Sequence, residues 1–122
     1  MATHKRNPTD LLPLTPGMFH VLIALADGEK HGYAIIKEVA RRTDGAIRLS
    51  AGTLYTLIRR FVQDGVIVES DERPDPSLDD ERRRYYRITD FGRAVAQAEA
   101  RRMESTLTMA RAKNLIPKAR PS

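Results

Sequence analysis

The order of secondary structure elements in the sequence predicts a mainly α-helical fold with a small β-hairpin. Three short segments with helical spacing come first, and each is closed by a turn signal. Two β-rich segments follow, separated by a polar stretch with two prolines, and a longer helical segment comes last. This order predicts a winged helix-turn-helix plus a C-terminal dimerisation helix.

Composition limits the classes of protein to consider. The 122 residues are enough for one domain, with 41% hydrophobic and 30% charged residues. The formal net charge of +5 favours an acidic partner, most often nucleic acid. The absence of cysteine excludes disulfides, thiol nucleophiles and thiolate metal sites. No signal peptide or membrane span is visible, so we expect a cytoplasmic protein without a membrane partner.

Four segments are expected along the chain. Residues 1–10 form a flexible N-terminal arm, and residues 11–88 form the winged helix-turn-helix domain. Residues 89–114 form the dimerisation helix, and residues 115–122 form a flexible tail.

The first two helices have clear boundaries. Thr15 is suited to cap helix 1, Pro16 fits its first position, and Gly28 ends it. Helix 2 begins near His31, and its apolar face is predicted at Tyr33, Ile36, Val39 and Ala40.

The third helix is the predicted recognition helix. Ser50 caps it, and its buried face is predicted at Leu54, Leu57, Ile58, Phe61 and Val62. Its other face presents hydroxyl and guanidinium groups, which suit bases and phosphates. The predicted DNA-binding residues of this helix are Ser50, Gly52, Thr53, Tyr55, Thr56, Arg59 and Arg60.

Two of these assignments have plain alternatives. Gly52 either lets the backbone approach a phosphate or only marks the transition from loop to helix. Arg59 and Arg60 either contact DNA or form an ordinary solvated face.

The wing is predicted from strands at residues 66–68 and 85–88. Arg82, Arg83 and Arg84 at its base suit the phosphate backbone or the minor groove. The alternative is that they pair with Asp79, Asp80 and Glu81 in exposed ion pairs, which DNA can displace because such pairs are weak.

The last helix is capped by Thr89 and extends to about Lys113. One stripe, at Phe91, Val95 and Ala98, is expected to pack on its own domain. A second stripe has coiled-coil spacing and predicts a homodimer, and it consists of Ala96, Ala100, Met103, Leu107 and Ala110. The alternative is a helix that folds back on its own monomer.

Catalysis and cofactors have no candidate residues. His4, His20 and His31 lack the spacing of metal ligands and are interpreted as structural. No nucleophile motif and no glycine-rich phosphate loop is present. We therefore predict no enzyme activity, no metal and no cofactor.

Four short motifs follow one another along the chain: L-T-P at residues 14–16, H-G-Y at 31–33, G-T-L-Y at 52–55 and R-Y-Y-R-I-T-D-F-G at 84–92. Together and in this order they resemble the PadR family of bacterial transcriptional regulators. The similarity covers about residues 11–103. The short C-terminal part of the chain resembles that of compact members with one C-terminal helix. Many members have proline after G-T-L-Y, whereas this chain has Thr56, which predicts a free hydroxyl on the exposed face.

The resemblance implies a dimeric winged-helix repressor of nearby promoters. It also implies relief of repression by a small effector, which is frequently aromatic or drug-like. Residues 52–55 correspond to the start of the family's recognition helix, and residues 82–86 to its wing. The alternative function is a winged-helix module that binds proteins and not DNA, because the acidic segment at residues 72–81 would repel phosphates.

Overall fold

The computed structural model describes residues 6–70 and 84–117. A 3-10 helix at Pro8–Leu11 precedes four α-helices and three short strands. The helices are α1 (Pro16–Leu25), α2 (Gly32–Arg42), α3 (Ala51–Gln63) and α4 (Asp90–Ala112). The strands are β1 (Lys30–His31), β2 (Ile67–Glu69) and β3 (Tyr85–Ile88).

Side-chain caps begin each α-helix, because the first backbone N–H groups of a helix have no partner within it. Thr15, Ser50 and Thr89 each accept a hydrogen bond from the N–H three residues ahead, as predicted. At α2 the cap is His31, whose Nδ1 accepts from the N–H of Ala34 at 3.0 Å. His31 is therefore structural, as its sequence context predicted.

The sheet is antiparallel with the order β1-β3-β2. The β2–β3 pair is the predicted hairpin, with Val68 opposite Arg87, although β2 starts one residue later than expected. The third strand was not predicted: Lys30 pairs with Tyr86, and His31 pairs with Tyr85. A strand of two residues is too short to show the period-two pattern on which a sequence prediction depends.

The core lies between the three helices of the domain and the first part of α4. Its fully buried side chains include Leu22, Ile35, Leu54, Phe61 and Val95.

Two predicted core positions were wrong. In α2 the buried face is Ile35 and Val39, while Tyr33 is 52% exposed. In α3, Val62 is exposed although its neighbour Phe61 is buried. Both errors arise because one helical turn offers several apolar residues, and only packing decides which of them faces inward.

The N-terminal segment is more structured than the predicted arm. From Pro8 onward it forms the 3-10 helix, and Leu11 and Leu12 then pack against the core. Leu14 is buried. Residues 1–5 of the predicted arm and residues 118–122 of the predicted tail lie outside the described residues.

Candidate nucleic-acid interface

Helix α3 has a buried side and an open side. Leu54, Ile58 and Phe61 fix the helix in the core. The opposite side carries exposed polar groups or open backbone at predicted positions, namely Gly52, Thr53, Thr56, Arg59 and Arg60. The fold therefore brings these five predicted residues together on one exposed helical surface, with two guanidinium groups at its C-terminal half.

Ser50 fixes the first turn of that surface. Its Oγ accepts a hydrogen bond from the N–H of Thr53 at 3.1 Å and donates to Thr53 Oγ1 at 3.0 Å. The two hydroxyls are thus held together at the exposed start of α3, where the backbone N–H groups carry partial positive charge.

Gly52 lies in open space. A Cβ built on it would have no heavy atom within 4 Å beyond its own local backbone. Packing within the subunit therefore does not require glycine at this position. A close approach to DNA remains a prediction.

Thr56 differs from its predicted state. Its hydroxyl is not free, because it donates to the carbonyl oxygen of Gly52 at 2.9 Å, one turn earlier. Thr56 Oγ1 also lies 3.5 Å from the Arg59 guanidinium. The hydroxyl satisfies a backbone group of its own helix, which is the usual behaviour of threonine within a helix. Its oxygen can still accept a hydrogen bond from outside.

Tyr55 is half-buried, unlike the other predicted contact residues of α3. A Cβ built on Gly32 would stand 2.6 Å from its hydroxyl oxygen, so the phenol packs directly on the first turn of α2. This contact joins the first turn of α2 to α3. It also gives a packing reason for glycine in the H-G-Y motif.

Of the three wing arginines, the structure describes only Arg84. Its Nε lies 3.5 Å from the Glu69 carboxylate on β2 and has no hydrogen bond. Arg82, Arg83 and the three acidic residues predicted as their alternative partners lie outside the described residues. Arg84 and Glu69 line a cleft of about 360 Å³ between α3 and the hairpin, together with Arg59 and Gln63.

The predicted dimer stripe divides into two parts along α4. Ala96 is half-buried and packs against the core of its own subunit. Ala100, Met103 and Leu107 are exposed, and Ala110 is partly exposed. Glu99 is the last fully buried residue of α4. The part of the helix after it therefore projects away from the core.

Neither a metal site nor a membrane span is found in the part of the chain that the structure describes. No three His, Asp or Glu side chains there come together as metal ligands. None of the helices in residues 6–70 and 84–117 is long and apolar enough to cross a bilayer.

Comparison with known families decides the identity. The sequence model of the transcriptional regulator PadR-like family matches residues 21–98, which span α2, α3, the wing and the first part of α4. The chain belongs to the PadR-like family. Three of the four motifs that suggested the resemblance lie inside that region, and L-T-P at residues 14–16 lies a few residues before it.

Two individual proteins similar to this chain are described as transcriptional regulators. The transcriptional regulator Rv3488 of Mycobacterium tuberculosis is 38% identical over 85 residues, which cover 70% of this chain and 73% of the relative. The structure of a transcriptional regulator from Clostridium thermocellum has a TM-score of 0.66 and 26% identity. It covers 79% of this chain and 87% of its own.

A PadR family transcription regulator from Clostridium difficile shares the fold. Its TM-score is 0.65 at 19% identity, over 80% of this chain and 97% of the other. The winged-helix architecture predicted from the sequence is therefore confirmed for this PadR-like chain.

The R-Y-Y-R-I-T-D-F-G motif of this PadR-like chain forms the joint between wing and α4. Thr89 Oγ1 donates to the Gly65 carbonyl at 2.6 Å and accepts from the Gly92 N–H at 2.9 Å. A Cβ on Gly92 would overlap the carbonyl oxygen of Val66. Sequence reasoning identified the cap but not this close approach, although a glycine two positions inside a helix was a signal for it.

Proposed function

We propose that this PadR-like protein is a homodimeric transcriptional repressor that binds double-stranded DNA with α3 in the major groove. The observation that supports this best is the open surface of α3. It combines two hydroxyls, an unobstructed glycine and two guanidinium groups on a helix whose other side is fixed in the core. Hydrogen-bonding groups read bases, and cations hold phosphates.

Each end of α3 has its own role in this proposal. Ser50 and Thr53 at the start of the helix approach the base edges, followed by Tyr55 and Thr56. Gly52 lets the backbone approach a phosphate. Arg59 and Arg60 follow in the last turns and contact the phosphate backbone. Arg82, Arg83 and Arg84 in the wing contact the backbone or the minor groove beside it.

A second copy completes the repressor. The exposed part of α4 offers Met103 and Leu107 to the same helix of a partner, and burying them removes apolar area from water. Two recognition helices then meet two half-sites about 34–36 Å apart, one turn of DNA. We propose that it acts in the cytoplasm and that a small aromatic or drug-like effector relieves repression, as the family resemblance implies.

Binding to the DNA upstream of its own gene, measured by gel shift at several salt concentrations, tests the proposal. We expect sequence-preferring binding that weakens as salt rises, because neutralised phosphates release counterions. A scrambled duplex of the same length and composition is the control. Equal affinity for both duplexes at every salt concentration, or no salt dependence, would refute sequence-specific binding by α3.

A further inference from the structure

Residues 6–14 lie beside the first part of α4 and contact it at both ends. The Arg6 guanidinium lies 5.1 Å from the centre of the Phe91 ring, near the start of α4. At the other end the backbone N–H of Leu14 donates to the Glu99 carboxylate at 2.6 Å. The distance along the helix from Phe91 to Glu99 is about two turns. The segment therefore accompanies α4 from its start to its last buried residue.

The same segment also reaches the end of the recognition helix. The Arg6 guanidinium lies 3.6 Å from the carboxylate of Asp64, which is the C-cap of α3. Both side chains of that ion pair are partly open to solvent, and exposed pairs contribute little to stability. The contact between Leu14 and Glu99 is buried. It is therefore the firmer of the two attachments.

Glu99 is the point at which the direction of the rest of α4 is set. The buried residues of this helix are Gly92, Val95 and Glu99. From there it continues to Ala112, a length of about 20 Å at 1.5 Å per residue. A change of about 10° in the tilt of that part moves its end by about 3.5 Å, close to the rise of one DNA base pair.

A carboxylate at this position provides direction that an apolar side chain would not. Burying a charged group costs free energy unless it is hydrogen-bonded, so an apolar side chain would be the simpler way to pack the helix. Each oxygen of Glu99 has a donor, the N–H of Leu14 for one and the Arg102 guanidinium for the other. Hydrogen bonds weaken when their angle changes, whereas apolar burial is non-directional. The pair of bonds therefore fixes the tilt of α4 as well as its distance from the core.

We propose that Glu99 is a positioning residue that sets the spacing between two DNA half-sites, by fixing the tilt of α4 against residues 6–14. The inference rests on the proposed function, in which the exposed part of α4 joins two subunits and each α3 enters one half-site. The tilt of α4 then determines the distance between the two recognition helices. The residues of α3 that contact bases are unchanged, so the sequence of each half-site does not depend on Glu99.

Selection of bound duplexes from a random library of about 40 base pairs tests this role, because that length holds two half-sites. Sequencing gives both the half-site sequence and the distance between its two copies. We expect wild type to enrich paired half-sites with one dominant spacing. Glu99→Ala should enrich the same half-site sequence with spacings spread over about two base pairs on either side, since both subunits then tilt more freely.

Fluorescence anisotropy then measures the effect on affinity. One duplex has the selected spacing, and a second has one base pair inserted between the half-sites. We expect the insertion to weaken wild type about tenfold and Glu99→Ala about threefold, because a rigid dimer must deform the DNA and a flexible one need not. Glu99→Gln keeps one acceptor oxygen and should give an intermediate penalty. If Glu99→Ala does not fold, Glu99→Gln decides, and a wild-type penalty for it would overturn the proposal.

Two control variants separate positioning from other effects. Glu104→Ala removes a carboxylate from the exposed part of α4, outside the predicted dimer stripe. Val39→Ala removes buried apolar volume from α2 and lowers stability. Both should keep the wild-type spacing and the wild-type penalty for the insertion. A spread of spacings with Val39→Ala equal to that with Glu99→Ala would mean a general loss of stability and would overturn the role of Glu99.

Failure of this inference can be told apart from failure of the proposed function. If wild type enriches no sequence, the proposed function fails. If it enriches single half-sites without a second copy, the dimer and the spacing role fail together. If Glu99→Ala and wild type enrich pairs with the same single spacing and show equal penalties for the insertion, only the role of Glu99 is overturned. Circular dichroism of each variant checks that the helices remain folded.

Discussion

The buried carboxylate of Glu99 accepts a hydrogen bond from the backbone N–H of Leu14, 85 residues earlier in the chain, at 2.6 Å. The same carboxylate accepts a hydrogen bond from the Arg102 guanidinium, one turn further along α4. Only 1% of Glu99 is exposed, and Leu14 is also buried. This contact attaches the segment before α1 to α4 at the point where that helix leaves the core.

Replacing Glu99 should destabilise the protein, and the loss should be larger when the Leu14 N–H has no acceptor left. Glu99→Ala leaves the N–H of Leu14 buried without an acceptor, so we expect the free energy of unfolding to fall by about 1–3 kcal/mol. Glu99→Gln retains an acceptor oxygen and should cost less than Glu99→Ala. Urea denaturation at neutral pH measures both, and an Ala variant as stable as wild type would show that the contact contributes nothing.

The contribution of Glu99 should depend on pH. The hydrogen bond from Arg102 holds the pKa of Glu99 below its ordinary value, and the N–H of Leu14 acts in the same direction against the effect of burial. The folded protein therefore binds this proton at lower pH than the unfolded chain does. Its contribution is complete above the unfolded pKa, about 4.3, and is lost as pH falls through the folded value.

We accordingly expect the stability difference between wild type and Glu99→Gln to be largest near neutral pH and to close in acid. Urea midpoints of both proteins at a series of pH values measure that difference. A difference that stays constant from neutral pH to below about pH 4 would contradict the role given to the ionised carboxylate.

The joint between wing and α4 should tolerate no side chain at Gly92. A Cβ there would overlap the Val66 carbonyl oxygen and stand 2.9 Å from Cγ1 of Ile88. Displacing the backbone at Val66 to make room for a methyl group costs free energy. We therefore expect Gly92→Ala to lower the free energy of unfolding by about 1–3 kcal/mol. Thermal denaturation followed by circular dichroism measures the change.

Gly52→Ala is the matched control for that substitution. It also places a methyl group on a helical glycine, but into open space. We expect stability to stay equal or to rise by up to about 1 kcal/mol, because alanine favours helix more than glycine does. Equal losses at both positions would mean that helix geometry and not the Val66 contact determines the effect.

Local signals predicted most of this fold. The caps at Thr15, Ser50 and Thr89 were identified because a capping residue acts on an N–H only three positions away. The exposed residues of α3 were identified because the period of a helix assigns them to one face.

The features that the sequence did not predict depend on contacts between residues far apart in the chain. The pairing of Lys30 with Tyr86, the Gly92 joint and the Glu99 contact each connect distant parts of the chain, so no local pattern encodes them. A charged residue in an apolar stripe is ordinarily interpreted as exposed, which is why Glu99 was not recognised. Tyr33 was misassigned because it is one of several apolar residues in the first turns of α2, and only packing decides which of them is buried.

Substitutions on the open face of α3 should affect DNA recognition and not folding. Thr53 and Arg59 are exposed. We therefore expect neither Thr53→Ala nor Arg59→Ala to lower the free energy of unfolding by more than about 0.5 kcal/mol. We expect Thr53→Ala to reduce the preference for the upstream DNA over a scrambled duplex. Arg59→Ala should weaken both duplexes and reduce the salt slope by about 0.9.

Competitive gel shifts with both duplexes measure these effects. Arg101→Ala is the control for Arg59→Ala, because it removes an exposed charge from α4 instead. Wild-type affinity and preference in both α3 variants would exclude this helix from recognition.

The exposed half of α4 provides the test of the dimer. Met103 and Leu107 are 43% and 42% exposed on the predicted stripe, and a charge placed among them should oppose burial against a second copy. We expect wild type to show about twice the 13.8 kDa chain mass by light scattering during gel filtration, and Met103→Glu to show one chain mass. Met109→Glu makes the same change at a more exposed methionine outside the stripe, so it should remain dimeric. A wild-type monomer would refute the dimer, and dissociation of both variants would show that the interface is not confined to the predicted stripe.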